Sequence, residues 1–323
     1  MLTEGKAQPV PGQKYRLVTR SDMDGLICAV ILKDLGFVDE VVFAHPKDMQ
    51  DGKVPVTDKD ITTNLPYVPG VFLCFDHHSS EMTRNRPPSA ANYVLAPDAP
   101  SAARVVFEFF GGASNPILAR LSPDMMSMVD KADSGAFTKE EVLHPEGWVL
   151  LSFLMDARTG LGRFHNFKIS NFQLMHKLID YCRELPTIDQ IMALPDIKER
   201  VDLYMEHKIS ARAQIERSCT VYKNLVILDL RHEDTIYATN RFTIYALFPK
   251  CNISMHVIWG KGDQNTVLAV GKSILNRTSN THVGNLMLEY GGGGHEAAGT
   301  CQIPTAKVES TVLELIARIN KDG

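Results

Sequence analysis

Residues 70–80 read Gly-Val-Phe-Leu-Cys-Phe-Asp-His-His-Ser-Ser, an apolar run that stops at an acid and two histidines. The run has the length of a buried strand, too short for a buried helix. Three adjacent titratable groups suit neither a core nor a plain surface turn, so chemistry is expected where this strand ends. Working outward, "KYRLVTR" (14–20) reads as another strand, and "GLICAVILKDLGF" (25–37) as a helix apolar on all sides that stops at Gly36. "EVVFAH" (40–45) and "VPVTDKD" (54–60) read as further strands. Strands alternating with helices predict a parallel sheet covered on both faces, with ligands at the carboxyl ends of its strands. "SDMDG" (21–25), "TDKD" (57–60) and "DHH" (76–78) are all expected at that edge.

Farther along, residues 101–135 and 165–218 read as helical. The pattern changes near residue 219 to strand-like segments: "VYKNLVILDL", "FTIYALF", "ISMHVIW" and "NTVLAVGKSI". A last helix, "STVLELIARI", follows. The expected organisation is an α/β catalytic domain over 1–185, a helical connector over 186–218 and a smaller mixed α/β domain over 219–323.

Composition limits the function. The 323 residues are 44% hydrophobic and 22% charged, with a formal net charge of −4. No apolar stretch approaches the roughly 18 residues of a membrane span, and the acidic, proline-bearing N-terminus lacks a signal core, so a cytoplasmic protein is expected. Six scattered cysteines fit reduced thiols, and the CxxC zinc pattern is absent. Residues 1–218 carry 24 Lys and Arg against 29 Asp and Glu; residues 219–323 carry 10 against 9. Neither part has the basic excess that long nucleic-acid backbones demand. Short phosphate-bearing substrates are favoured.

The motifs sharpen this. Asp22 and Asp24 alternate, so in an extended segment both point to one side, and Gly25 lets the chain turn into the next helix. Carboxylates on one side repel unless a cation neutralises them. Asp58 and Asp60 close the "VPVTDKD" run. Carboxylate and imidazole in "DHH" are the donor mix of Mn²⁺, Fe²⁺ or Zn²⁺. Asp130 and Asp133 fall at the end of an apolar helix, where the partial negative charge disfavours acids, so another compensation is expected. In "YGGGGHEAAG" (290–299) four glycines let the backbone approach a ligand, and "EAAG" reads as the start of a small-residue helix facing it. Arg277 follows a strand and suits a bidentate grip on phosphate.

Taken in order, "SDMDG", the acid after "VPVT", "DHH", "DKADSGAF" and "GGGGHEAAG" resemble the motifs of the DHH phosphoesterase superfamily with its C-terminal DHHA1 domain. Its members include RecJ-type exonucleases, nanoRNases, cyclic-dinucleotide phosphodiesterases, family II pyrophosphatases and exopolyphosphatase-related proteins. The resemblance spans nearly the whole chain. It implies a parallel-sheet DHH domain joined by a connector to a smaller mixed α/β DHHA1 domain, with the active site in the cleft between.

Carried over by position, the resemblance implies two metal ions, Mn²⁺ first, with Mg²⁺ or another divalent ion as the alternative. Asp22 would ligate one ion; Asp24, His77 and Asp133 the other; Asp60, with Asp58 in reserve, would bridge them. His78 would face the substrate phosphate, with Asp76 orienting a neighbouring histidine. Arg277, His295 and the backbone of Gly291, Gly292, Gly293 and Gly294 would hold phosphate or nucleotide. Many relatives carry a ligating histidine just ahead of the first aspartate; here Arg20 stands there, and a guanidinium cannot ligate a metal. Another residue, such as His45, or water fills the place, or the first ion binds weakly, or Arg20 supplants part of its charge.

The implied reaction is in-line hydrolysis of a phosphodiester, with two ions about 4 Å apart acidifying a shared water. Expected substrates are short oligonucleotides, dinucleotides or phosphate-containing small molecules, with no long duplex and no membrane partner; a homodimer is allowed for. Exopolyphosphatase or pyrophosphatase activity is the alternative. A third reading, a metal- or nucleotide-binding protein of low turnover, follows from Arg20.

Overall fold

The computed structural model describes residues 2–78, 90–185 and 187–323. Ser79 and Ser80, the end of the opening stretch, lie outside the described residues. The chain forms two compact units: residues 1–136, 146–157 and 162–201 in one, and residues 137–145, 158–161 and 202–323 in the other.

The first unit is built on a five-stranded parallel sheet in the order β2-β1-β3-β4-β5: β1 Tyr15–Thr19, β2 Val38–Phe43, β3 Asp60–Thr63, β4 Leu73–Asp76 and β5 Tyr93–Leu95. Strands β3 and β4 are buried at every position, as inner strands of a parallel sheet are. Helix α1 (Met23–Asp34) buries every residue from Met23 to Leu32 and has no solvated face. It packs against α2 (Ala102–Phe109), α3 (Pro123–Ser134) and α5 (Asn171–Glu184); α4 spans Gly147–Met155. A helix walled in on this scale is held by burial itself, at about 1.5–3 kcal/mol for each large aliphatic side chain.

One strand lies where the sequence did not put it. "VPVTDKD" is irregular, and β3 is the following "DITT". Pro55 and the turn at 58–59 keep the earlier residues out of the ladder, and Arg16 pairs with Asp60 at the start of the β1–β3 register.

The 24-residue helix α6 (Pro195–Ser218) contributes residues to both units. The second unit carries a six-stranded mixed sheet in the order β10-β11-β9-β8-β7-β6. Its strands are β6 Cys219–Tyr222, β7 Leu225–Asp229, β8 Ile253–Trp259, β9 Thr266–Lys272, β10 Gly293–Gly294 and β11 Ala298–Ile303. Only β7 and β8 run parallel; the other pairings are antiparallel. Leu225, Ile227, Met255, Val257, Leu268 and Val270 form the sheet side of its core. Helices α7 (Val283–Glu289) and α8 (Val308–Asp322) close it through Val283, Met287, Leu315 and Ile319.

Two expectations fail in this unit. "FTIYALF" is not a strand: Thr243–Leu247 is one turn of helix, with Thr243 to Ala246 buried. Its Tyr245 hydroxyl binds Ser254 Oγ and the Gly271 carbonyl, each at 2.9 Å, fixing the turn against β8 and β9. Nor does "EAAG" start a helix; Ala298 and Gly299 open β11, which pairs with β9 and with Gly293–Gly294. All six cysteines are free, and no described helix is long and apolar enough to cross a membrane.

Candidate metal centre

In a parallel sheet the carboxyl ends of β1 and β4 share one edge, and the segments leaving them carry Asp22–Asp24 and His77–His78. Asp22 caps α1, its Oδ1 accepting from Gly25 N at 3.0 Å. Gly25 is required by close approach, since a Cβ there would overlap the Arg20 carbonyl oxygen. Asp24 in the first turn is buried and accepts the first two amides of α2, from Ala102 at 2.9 Å and Ala103 at 2.7 Å. The N-terminus of one helix thus anchors a carboxylate belonging to another.

His77 is the centre of the cluster. Its Nδ1 lies 3.1 Å from the Ala99 carbonyl, which fixes the proton on that nitrogen and turns Nε2 inward. Nε2 stands 3.0 Å from Asp133 Oδ2 and 3.8 Å from Asp24 Oδ2. It is buried and has no aligned hydrogen bond. Asp133 sits in the last turn of α3, and the imidazole is the compensation that an acid at a helix C-terminus requires. Asp130, one turn earlier, is bound instead by Arg104 at 2.6 Å and Ser101 at 2.7 Å.

The ligand atoms of Asp24, His77 and Asp133 all lie within 4.8 Å of one another. Burial and the neighbouring Asp133 charge push the Asp24 carboxyl up to about 7. Burial pulls His77 down, but the Asp133 and Asp24 carboxylates outweigh it and raise the imidazole to about 9. Burial likewise pushes Asp133 up, and His77, His78 and Arg20 more than offset it, so that carboxyl ends below its ordinary range. Protons here hold together what a divalent cation would hold. Two carboxylates and an imidazole nitrogen whose other nitrogen is anchored are a fitting donor set for Mn²⁺ or a similar ion.

Asp76, fully buried at the end of β4, accepts from His77 N at 2.8 Å and lies 2.7 Å from His78 Nδ1. It orients His78. Burial lowers the His78 imidazole, and the Asp76 contact raises it above its ordinary value overall. Arg20 Nε lies 3.0 Å from Asp22 Oδ2.

Asp60 is not part of the cluster. It stands at the amino end of β3, the opposite edge, where Arg16 holds it at 2.7 and 2.9 Å and Thr57 N at 2.6 Å. Asp58 is exposed on the turn before it. At the carboxyl end of β3 stands Asn64, with φ of 55° and Nδ2 donating to Asp22 Oδ1 at 3.1 Å. Sequence reasoning missed Asn64 because it placed the strand too early. "ITTNLP", with Asn-Leu-Pro ending a β-branched run, was the available signal. His45 caps the short helix Pro46–Gln50 through Nδ1 and joins no metal cluster among the described residues. Where two ion sites were expected, one trio of donors assembles among the described residues.

In the second unit Arg277 is exposed, with Nε on the Ile274 carbonyl at 3.2 Å, and His295 lies in the turn between β10 and β11. Within the glycine run, Gly291 and Gly292 are tied into the local packing. The amides of Gly291 and Gly292 are taken by the carbonyls of Leu288 and Met287, and a Cβ on Gly292 would overlap the Thr300 carbonyl oxygen.

No protein-family model matches the chain, and no curated protein does. Solved structures do. A pGpG-specific phosphodiesterase, PggH from Vibrio cholerae, is 56% identical over 96% of this chain and 100% of its own, with a TM-score of 0.80. An exopolyphosphatase-related protein from Bacteroides fragilis shares 14% identity over 94% of this chain and 91% of its own at a TM-score of 0.50. RecJ from Thermus thermophilus, solved with Mn²⁺, shares 13% over 95% of this chain and 52% of its own at 0.53. The last two are likenesses of fold alone. With an ordered set of acid and histidine motifs, a parallel sheet that delivers them to one edge, and full-length identity of this order to PggH, the chain belongs to the DHH phosphoesterase superfamily.

Proposed function

We propose that the chain is a divalent-metal-dependent phosphodiesterase of short oligonucleotides and dinucleotides, with the linear dinucleotide pGpG as its first substrate to test. One observation carries the reading: a partly buried carboxylate–imidazole donor cluster in a chain 56% identical, over 96% of its length, to a pGpG-specific phosphodiesterase. The absence of a strong basic excess in either half of the sequence agrees with a substrate of few phosphates.

Asp24, His77 and Asp133 would hold the ion, Mn²⁺ first. A bound divalent ion supplies Lewis acidity, withdrawing charge from a phosphoryl oxygen and making an attacking water more acidic. The chain's own groups do the rest. Water adds to phosphorus, the bond to the leaving ribose oxygen breaks, and that oxygen takes up a proton. His78, held by Asp76 and biased toward its protonated form, is placed to hydrogen-bond the phosphoryl oxygens as charge grows on them. Arg20 adds fixed positive charge beside the same edge. Arg277 and His295 are proposed as ligands of the substrate phosphate or nucleotide, and a cytoplasmic setting with reduced thiols belongs to the same reading.

The test offers metal-stripped protein, with Mn²⁺ restored, pGpG, cyclic dinucleotides, pyrophosphate and short polyphosphate side by side. GMP released from pGpG, with a raised KM in Arg277→Ala, is the expected result. Inorganic phosphate released only from pyrophosphate or polyphosphate overturns the reading, and so does silence on every substrate with Mn²⁺ bound.

A further inference from the structure

We infer that this chain holds one divalent ion and not two, because the Arg20 guanidinium occupies the place of the second. The inference deepens the proposed function and rests on that reading only for the ion at Asp24, His77 and Asp133.

A second ion would need Asp22 and a bridging carboxylate. Asp22 already has a cation beside it. Oδ2 faces Arg20 Nε at 3.0 Å, while Oδ1 accepts from Gly25 N at 3.0 Å and Asn64 Nδ2 at 3.1 Å. Among the described residues no bridging acid is in place, since Asp60 is paired with Arg16 at the far end of β3. The residue that does occupy the near end, Asn64, is a neutral amide, and it presents a hydrogen-bond donor to Asp22 where a bridge would present an anion. Its Oδ1 is buried and has no partner among the described residues.

Formal charge agrees. Among the described residues the acids grouped at this edge are Asp22, Asp24 and Asp133, with Asp76 already matched to His78. Three negative charges balance one divalent ion and one guanidinium. A second divalent ion would leave the partly buried cluster with two uncompensated positive charges, which burial strongly disfavours. Arg20 therefore does for Asp22 and the substrate phosphate what an ion would do, without depending on metal supply. Asn64 holds Asp22 in line with it and is a positioning residue.

The measurement is the number of Mn²⁺ ions bound per chain, with the electron paramagnetic resonance spectrum of the bound ion as a second readout. Neither depends on any substrate, so a failure of the proposed activity and a failure of this inference are told apart. Wild type is expected to bind one ion per chain, with the six-line signal of an isolated Mn²⁺. Asp22→Asn should keep that count, because Asp22 is not a ligand, and Asp133→Asn should abolish tight binding. The double variant Arg20→Ala with Asn64→Asp, which frees Asp22 and restores a bridging acid, should take up a second ion and show an exchange-coupled pair. Two coupled ions in wild type, or loss of the ion in Asp22→Asn, overturns the inference. A double variant that stays at one ion overturns the part assigned to Arg20 and Asn64.

Discussion

At the scale of the residue, the site rests on His77. Its Nδ1 is anchored to Ala99 and its Nε2 is aimed at two carboxylates, so the ring cannot turn away without leaving a buried polar atom unmatched. His77→Ala and Asp133→Ala are each expected to lower kcat/KM on a dinucleotide by at least about 1,000-fold, roughly 4 kcal/mol of transition-state stabilisation. Circular dichroism should still show a folded protein with a cooperative melt. Activity retained with added Mn²⁺ would remove these residues from the centre. Much of this was legible in advance: "SDMDG", "DHH" and "DKADSG" carry chemically matched groups at strand and helix ends, and the structure draws Asp24, His77 and Asp133 together. Asn64 was not legible. A neutral amide gives no signal by itself, and its meaning comes from facing Asp22 across a strand register that the sequence does not state.

Among the elements, legibility followed burial pattern. Helix α1 and strands β1 and β4 read correctly because each is almost wholly buried and carries an apolar run that shows it. The errors came where local composition and tertiary packing disagree. Strand-like "FTIYALF" gives one helical turn because Tyr245 must reach Ser254 and Gly271, and helix-like "EAAG" becomes β11 because β9 offers an unpaired edge. The glycines before it show the same priority of packing, and they separate by substitution. A Cβ on Gly292 would overlap the Thr300 carbonyl and Cys301, both backbone neighbours that cannot step aside, whereas one on Gly293 would meet nothing within 4 Å. Gly292→Ala is expected to destabilise the protein by about 1–3 kcal/mol, with a lower Tm, and Gly293→Ala to leave the melt nearly unchanged. Equal melts for the two variants would mean the hairpin does not depend on that close approach.

For the whole molecule, charge bears on the proposed substrate range. A net charge of −4, spread without a strong basic excess in either half of the sequence, gives little to attract a long polyanion. The expected result is that kcat/KM falls as a 5′-phosphorylated oligonucleotide grows from two to about ten nucleotides, and that duplex DNA does not compete. A rise with length would point to a backbone-tracking surface. The donor cluster has one more consequence at this scale. Asp24, His77 and Asp133 come from α1, the end of β4 and the end of α3, segments widely separated along the chain. An ion bound there would therefore work as a reversible staple, closing long loops that the unfolded chain cannot close. Folding stability is then expected to rise with free ion concentration and hydrogen exchange to slow first at the last turn of α3, so metal scarcity would be felt as loosened structure as well as lost turnover.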